Sequence, residues 1–174
     1  MNLSLAARPT PEIAAAAAAP RLAVLSLGAA AIHFAVIPDH LAEWWAFGLF
    51  FAALGWFQAL WAVAYLIRPT AGLAGFATVV NLATVVLWAW SRSVGLPVGP
   101  EPGVAESIGA PDVIATVLEI ALAAGLVAMT RRPGGQGATT GPGVARPAGD
   151  RWLTLLLAVV VATATTIAIA AGAG

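Results

Sequence analysis

The sequence predicts an all-α integral membrane bundle of five transmembrane helices, and three observations carry that prediction. The chain is 60% hydrophobic and 9% charged, against roughly 25% charged residues in ordinary soluble domains. At 174 residues it is too small to bury that much apolar surface in water, because small domains keep a large share of their surface exposed. The apolar residues also fall into runs approaching the length of a spanning helix, about 20 residues at 1.5 Å rise.

Taken in order, residues 1–21 read as an Ala/Pro-rich N-terminal tail. The first helix runs from Leu22 to Ile37, a short run that gains length if it extends back through the Ala-rich stretch. It stops at Pro38, and Pro38-Asp39-His40 reads as a tight break in which Asp39 is placed to cap the next helix. The second helix runs from Trp44 to Ile67 and stops at Arg68-Pro69. The third covers Ala71 to about Ser91. The Gly/Pro-rich stretch from Gly95 to Pro111 cannot be helical throughout, so an outer loop spans 92–111. The fourth helix runs from Asp112 to about Thr130, closing a four-helix core over 22–130. Residues 131–150 read as a flexible Gly/Pro/Thr linker, and 151–174 as the fifth helix. Removal of the N-terminal segment as a secretory signal would leave four helices.

The basic residues set an orientation. Arg8, Arg21, Arg68, Arg131, Arg132, Arg146 and Arg151 fall on one side, and the other side carries only Arg92, with Asp39, Glu43, Glu101, Glu106 and Asp112. Basic residues favour the cytoplasmic face, so the N-terminus is expected in the cytoplasm and the C-terminus outside the inner (plasma) membrane. Interfacial aromatics agree. Trp44, Trp45, Trp88 and Trp90 lie at the outer ends, and Trp61, Tyr65 and Trp152 at the inner ends.

Composition also excludes some chemistry. Net charge is zero, so nucleic acid is not an expected partner, and the use of Arg for every basic residue reads as coding bias rather than a binding surface. The chain has no cysteine, which removes disulfides, thiolate catalysis and Cys-ligated metals. There is no Ser-His-Asp order, glycine-rich phosphate loop or zincin motif.

The informative residues in a bilayer are the polar ones that must leave water. An ionisable group at a helix centre costs about 2.5–3.5 kcal/mol, so it faces a partner or a wet cavity. His33 and Glu119 are such groups, and Gln58 and Asn81 are uncharged polar residues that must likewise find partners. His33, Asn81 and Glu119 are expected to converge in the outer half of the bundle, with Gln58 in the inner half. Asp112, Thr116 and Glu119 stand at i, i+4, i+7 and share one helix face. That stripe points inward, either as packing glue with Glu119 neutral or paired to Arg92, or as an outward-open site for a proton, cation or small ligand. The binding or polar cluster is therefore His33, Asn81, Arg92, Asp112, Thr116 and Glu119. A second constellation, His33, His40 and Glu43 with Asp39 nearby, has the imidazole and carboxylate chemistry of a metal site. Haem held by two His is a weaker form of the same idea, because both lie at one end of the first helix.

Two stretches carry a resemblance. One runs Ala31-Ile32-His33-Phe34 through Pro38-Asp39-His40-Leu41-Ala42-Glu43-Trp44-Trp45 to Phe47-Gly48. The other runs Ser91-Arg92 through Gly95-Leu96-Pro97 and Gly99-Pro100-Glu101-Pro102-Gly103 towards Asp112 and Glu119. Together, over about 22–130, they resemble a group of uncharacterised small multi-pass membrane proteins of high-GC bacteria. The resemblance implies a multi-pass fold and no particular activity. It also suggests that both outer segments pack together, with the 95–111 loop folded over the mouth near His33, His40 and Glu43 to cover the Glu119 stripe.

Three functional readings follow. The leading one is a non-enzymatic protein, structural or accessory to a membrane complex, with a membrane protein or a second copy as partner. The second is a binder of metal, haem or a small ligand at the outer His/carboxylate site. The third is a small proton-coupled carrier with Glu119 as the titrating group. An enzyme is the least supported.

Overall fold

The computed structural model describes residues 10–130 and, beyond them, Thr154, Leu157, Ala158, Val161, Ala162 and Thr165. Among the described residues the chain forms four helices and no strand: α1 Pro11–Glu43, α2 Trp45–Ile67, α3 Ala71–Ser93 and α4 Ala110–Thr130. All four are long and apolar enough to cross a membrane. The linker expected over 131–150 lies outside the described residues, as does the fifth helix taken as a whole. Its six described positions are helical, and Val161 occupies the space a side chain at Gly28 would need.

The first helix departs most from the sequence expectation. It starts at Pro11, capped by Thr10, and continues through Pro20 and Pro38 to Glu43. The break expected at Pro38-Asp39-His40 is absent, and Asp39 caps nothing; the chain turns instead at Trp44, which is extended at φ −159° and ψ 129°. Proline inside a helix costs about 3 kcal/mol. A broken helix in hydrocarbon strands several backbone groups at several kcal/mol each, so a spanning helix carries a proline that a soluble one would expel. The other three match their expected spans to within two residues. Thr70 starts α3 by accepting the Leu73 amide at 3.3 Å, and Asp112 helps start α4 by accepting the Gly109 amide at 2.9 Å.

Helix α1 packs against both α2 and α4, and α4 packs against α3. Helices α2 and α3 barely touch, although only residues 68–70 separate them. They meet near that turn, where the Trp61 indole donates to the Leu73 carbonyl at 2.9 Å and Phe57 meets the edge of Phe76. Small residues allow the close helix pairs. A side chain on Gly55 would strike the Phe34 ring, and one on Gly125 would strike Leu22.

The burial pattern is inverted relative to a soluble bundle. Large apolar residues face outward, with Ile67 79% and Val79 66% exposed, while Gln58 is 0% and Glu119 1% exposed. Contiguous apolar surface covering every helix would drive association in water, and the arrangement is the one expected where lipid is the solvent.

Candidate functional site

Four polar side chains from four different helices meet inside the bundle. Gln58 of α2 is the hub. Its Nε2 donates to Glu119 Oε1 at 3.0 Å and to Asn81 Oδ1 at 3.3 Å, and its Oε1 accepts from His33 Nδ1 at 3.0 Å. Asn81 Nδ2 donates to the Ala77 carbonyl at 2.8 Å, so its Oδ1 is the atom left facing Gln58. The Ser26 hydroxyl donates to the Gln58 carbonyl at 2.8 Å. These directions fix one another: turning the Gln58 amide over would set its oxygen against two other oxygens. His33 therefore carries its proton on Nδ1. Its Nε2 lone pair points towards Glu119 Oε1, 3.7 Å away.

Above this floor lies a cavity of about 420 Å³, walled by the C-terminal ends of α1 and α3, the N-terminal ends of α2 and α4, and the 94–109 loop. Its walls are largely aromatic: Trp44, Phe47, Phe50, Phe51, Trp88 and Trp90 all line it. Glu119 lines it too. While Oε1 is held by Gln58, Glu119 Oε2 has no hydrogen-bond partner among the described residues.

The loop reaches over the mouth near His33 and His40, as expected, but not over Glu43, which lies outside the cavity. Leu96, Pro97, Val98 and Glu106 line the cavity together with His33, His40 and Glu119. The loop is pinned by the Glu106 amide on the Ser91 carbonyl at 3.0 Å and the Gly103 amide on the Leu96 carbonyl at 2.8 Å. Gly95, at φ 76°, lets the Val104 backbone pass against it. Arg92 ties the loop to α4, pairing with Glu106 and, at 2.9 Å, with Asp112.

The expected cluster thus divides into two levels. His33, Asn81 and Glu119 come together in the floor, with Thr116 one turn nearer the mouth on the Glu119 face of the same cavity. Arg92 and Asp112 belong to the mouth, and the pairing of Arg92 with Glu119 does not form. Gln58, expected in the opposite half, stands at the centre. Ser26 had no place in the sequence reading, and Trp88 and Glu106 entered it only as markers of the outer side, not as site residues.

The metal constellation does not assemble. Among the described residues no three His, Cys, Asp or Glu side chains come close enough to hold an ion. Continuity of α1 does put His33 and His40 on one face of one cavity, but His40 Nδ1 bonds the Val36 carbonyl at 2.8 Å and its ring packs on Phe51. Glu43 is exposed and lies outside the cavity. Two imidazoles on one helix, about 10 Å apart along its axis, cannot take opposite faces of one haem iron.

Comparison of the chain with protein-family models, curated proteins and solved structures finds no match to any of them.

Proposed function

We propose that this is a plasma-membrane protein that binds a small, largely apolar ligand in the loop-covered cavity. His33 and Glu119, the two members of the polar network that line the cavity, would hold the ligand's polar group, with Gln58 and Asn81 fixing them from behind. The observation that carries this reading is the Glu119 oxygen left without a partner beneath a cavity of about 420 Å³. That volume falls in the range of small-molecule sites, which combine apolar walls with a few fixed polar groups. Polar glue for a purely structural or accessory role would close on itself, as helix-to-helix hydrogen bonds do. An open carboxyl oxygen at membrane depth is costly unless something occupies the space above it.

In this reading the N-terminus is cytoplasmic, residues 151–174 form a fifth span, and the cavity opens on the extracytoplasmic side, away from seven of the eight Arg. A second reading, proton-coupled carriage, is supported by one further observation. His33 Nε2 faces the Glu119 carboxyl, so a single proton shared by the pair leaves it uncharged overall.

The test is ligand-dependent stabilisation of the purified protein in lipid nanodiscs across a panel of apolar small molecules. At least one compound is expected to raise the melting temperature and to quench tryptophan fluorescence. Ala115→Phe, which fills the cavity from a buried wall position, is expected to abolish both signals. Equal responses in the filled variant, or none in the wild type, would leave the accessory role as the better reading.

A further inference from the structure

We infer that the ligand is a lipophilic organic cation, a bulky ammonium- or phosphonium-type ion seated between aromatic walls with Glu119 beneath it. The inference rests on the ligand-binding reading above and adds the charge class.

The charges that line the cavity are unequal. Glu106, Asp112 and Glu119 supply three carboxyl groups against one guanidinium, that of Arg92. Arg92 already faces two of those carboxylates, so its charge is matched and the mouth carries an excess of negative charge, although Arg92 Nε and the Trp88 indole N–H remain as buried donors without a partner. Glu119 Oε2 has no partner, and its side chain is only 2% exposed. The walls supply the rest. Trp44, Phe47, Phe51 and Trp88 line the cavity, and aromatic rings attract a cation through their π faces the more strongly when it is stripped of water. A neutral ligand could satisfy the carboxyl oxygen by a hydrogen bond but would leave its charge unmatched, and an anion would meet it directly.

Cation and proton then compete for one carboxyl oxygen. When Glu119 holds a proton, cation binding expels it to solvent, and the charge in the cavity is unchanged. The titratable and charged groups that share the cavity with Glu119 are His33, which faces it at 3.7 Å, and His40 from α1, Arg92 from α3, Glu106 from the loop and Asp112 on α4 itself. Helix α2 contributes only Gln58 and aromatic rings. Affinity for the cation therefore rises with pH as Glu119 gives up its proton.

The test uses two isosteric ions, tetraphenylphosphonium and tetraphenylborate, and the smaller uncharged triphenylphosphine oxide, on the full-length protein in nanodiscs, measured by equilibrium dialysis with binding to empty nanodiscs subtracted. The phosphonium is expected to bind one per chain, at least tenfold tighter than either alternative, with an affinity that rises with pH. Glu119→Gln keeps a carbonyl oxygen for the Gln58 amide, and is expected to bind the cation at least tenfold more weakly and without pH dependence. Its melting curve checks that it is folded. Equal or tighter binding of borate or phosphine oxide overturns the charge assignment and leaves the ligand-binding reading standing. No binding of any of the three overturns the charge assignment, and with no response across the wider panel the ligand-binding reading falls too.

Discussion

At the end of the bundle that carries the 68–70 turn, Leu122, Leu126, Trp61 and Tyr65 are buried against one another and the α1 face. Leu22 sits on Gly125, and α2 and α3 are joined by the Trp61–Leu73 hydrogen bond. At the other end the same two helices stand apart around the cavity, and a loop held by an ion pair does what direct packing does elsewhere. The difference teaches a division of labour. One half of the bundle is closed by dispersion and small residues, and the other is kept open by polar groups that cannot fill their own space. The Gln58 network lies at the boundary and belongs to both.

Breaking that boundary should have the largest effect. Gln58→Leu removes the shared partner of His33, Asn81 and Glu119. Unsatisfied buried polar groups cost about 1–3 kcal/mol each, so a total loss of about 3 kcal/mol is expected, measured by reversible unfolding in detergent. A loss no larger than that of Ser26→Ala would mean the network is not a hub. Next comes the closed half. Leu122→Ala is expected to cost about 2 kcal/mol through the cavity it leaves, with ligand affinity within twofold of wild type. If affinity falls with stability, the two halves are not separable.

Much of the fold was legible because lipid makes spans long and apolar, and four of them stand where hydropathy puts them. The site was legible only in part, and the reason is one proline. With α1 ending at Pro38, His33 appears about 6 Å below the helix end, too shallow to meet Gln58. With its end at Glu43, His33 lies about 15 Å down and Glu119 about 14 Å, while Asn81 and Gln58 lie about 18 and 20 Å from the same end of the bundle. All four then form one layer. Pro38 reads as a stop where water can take up the freed backbone groups, whereas a helix with no water to turn to continues through it. The Arg92 pairing went astray differently. Sequence spacing places Asp112 and Glu119 on one face, and only the folded loop shows that Arg92 reaches Glu106 and the near member of that face.

Two smaller effects sharpen the comparison. Arg92→Leu releases the loop from α4 and leaves Glu106 and Asp112 without their cation. Both carboxylates are partly exposed, so the expected cost is about 1 kcal/mol, while amide exchange across 94–109 should quicken at least tenfold and α4 beyond Thr116 should not change. Ser26→Ala removes one hydroxyl bond between α1 and α2. It is expected to cost about 0.6 kcal/mol, the average for helix-to-helix hydrogen bonds in a membrane.

The contrast between an open and a closed half can be read from thiol labelling, since the chain has no cysteine of its own. Thr116→Cys places a thiol in the cavity wall and Leu122→Cys places one in the packed half, fewer than two turns further along α4. A small water-soluble maleimide added to the protein in nanodiscs should modify the first at least a hundredfold faster than the second, and a cavity ligand should slow only the first. Equal labelling of the two, or labelling of neither, would contradict the account.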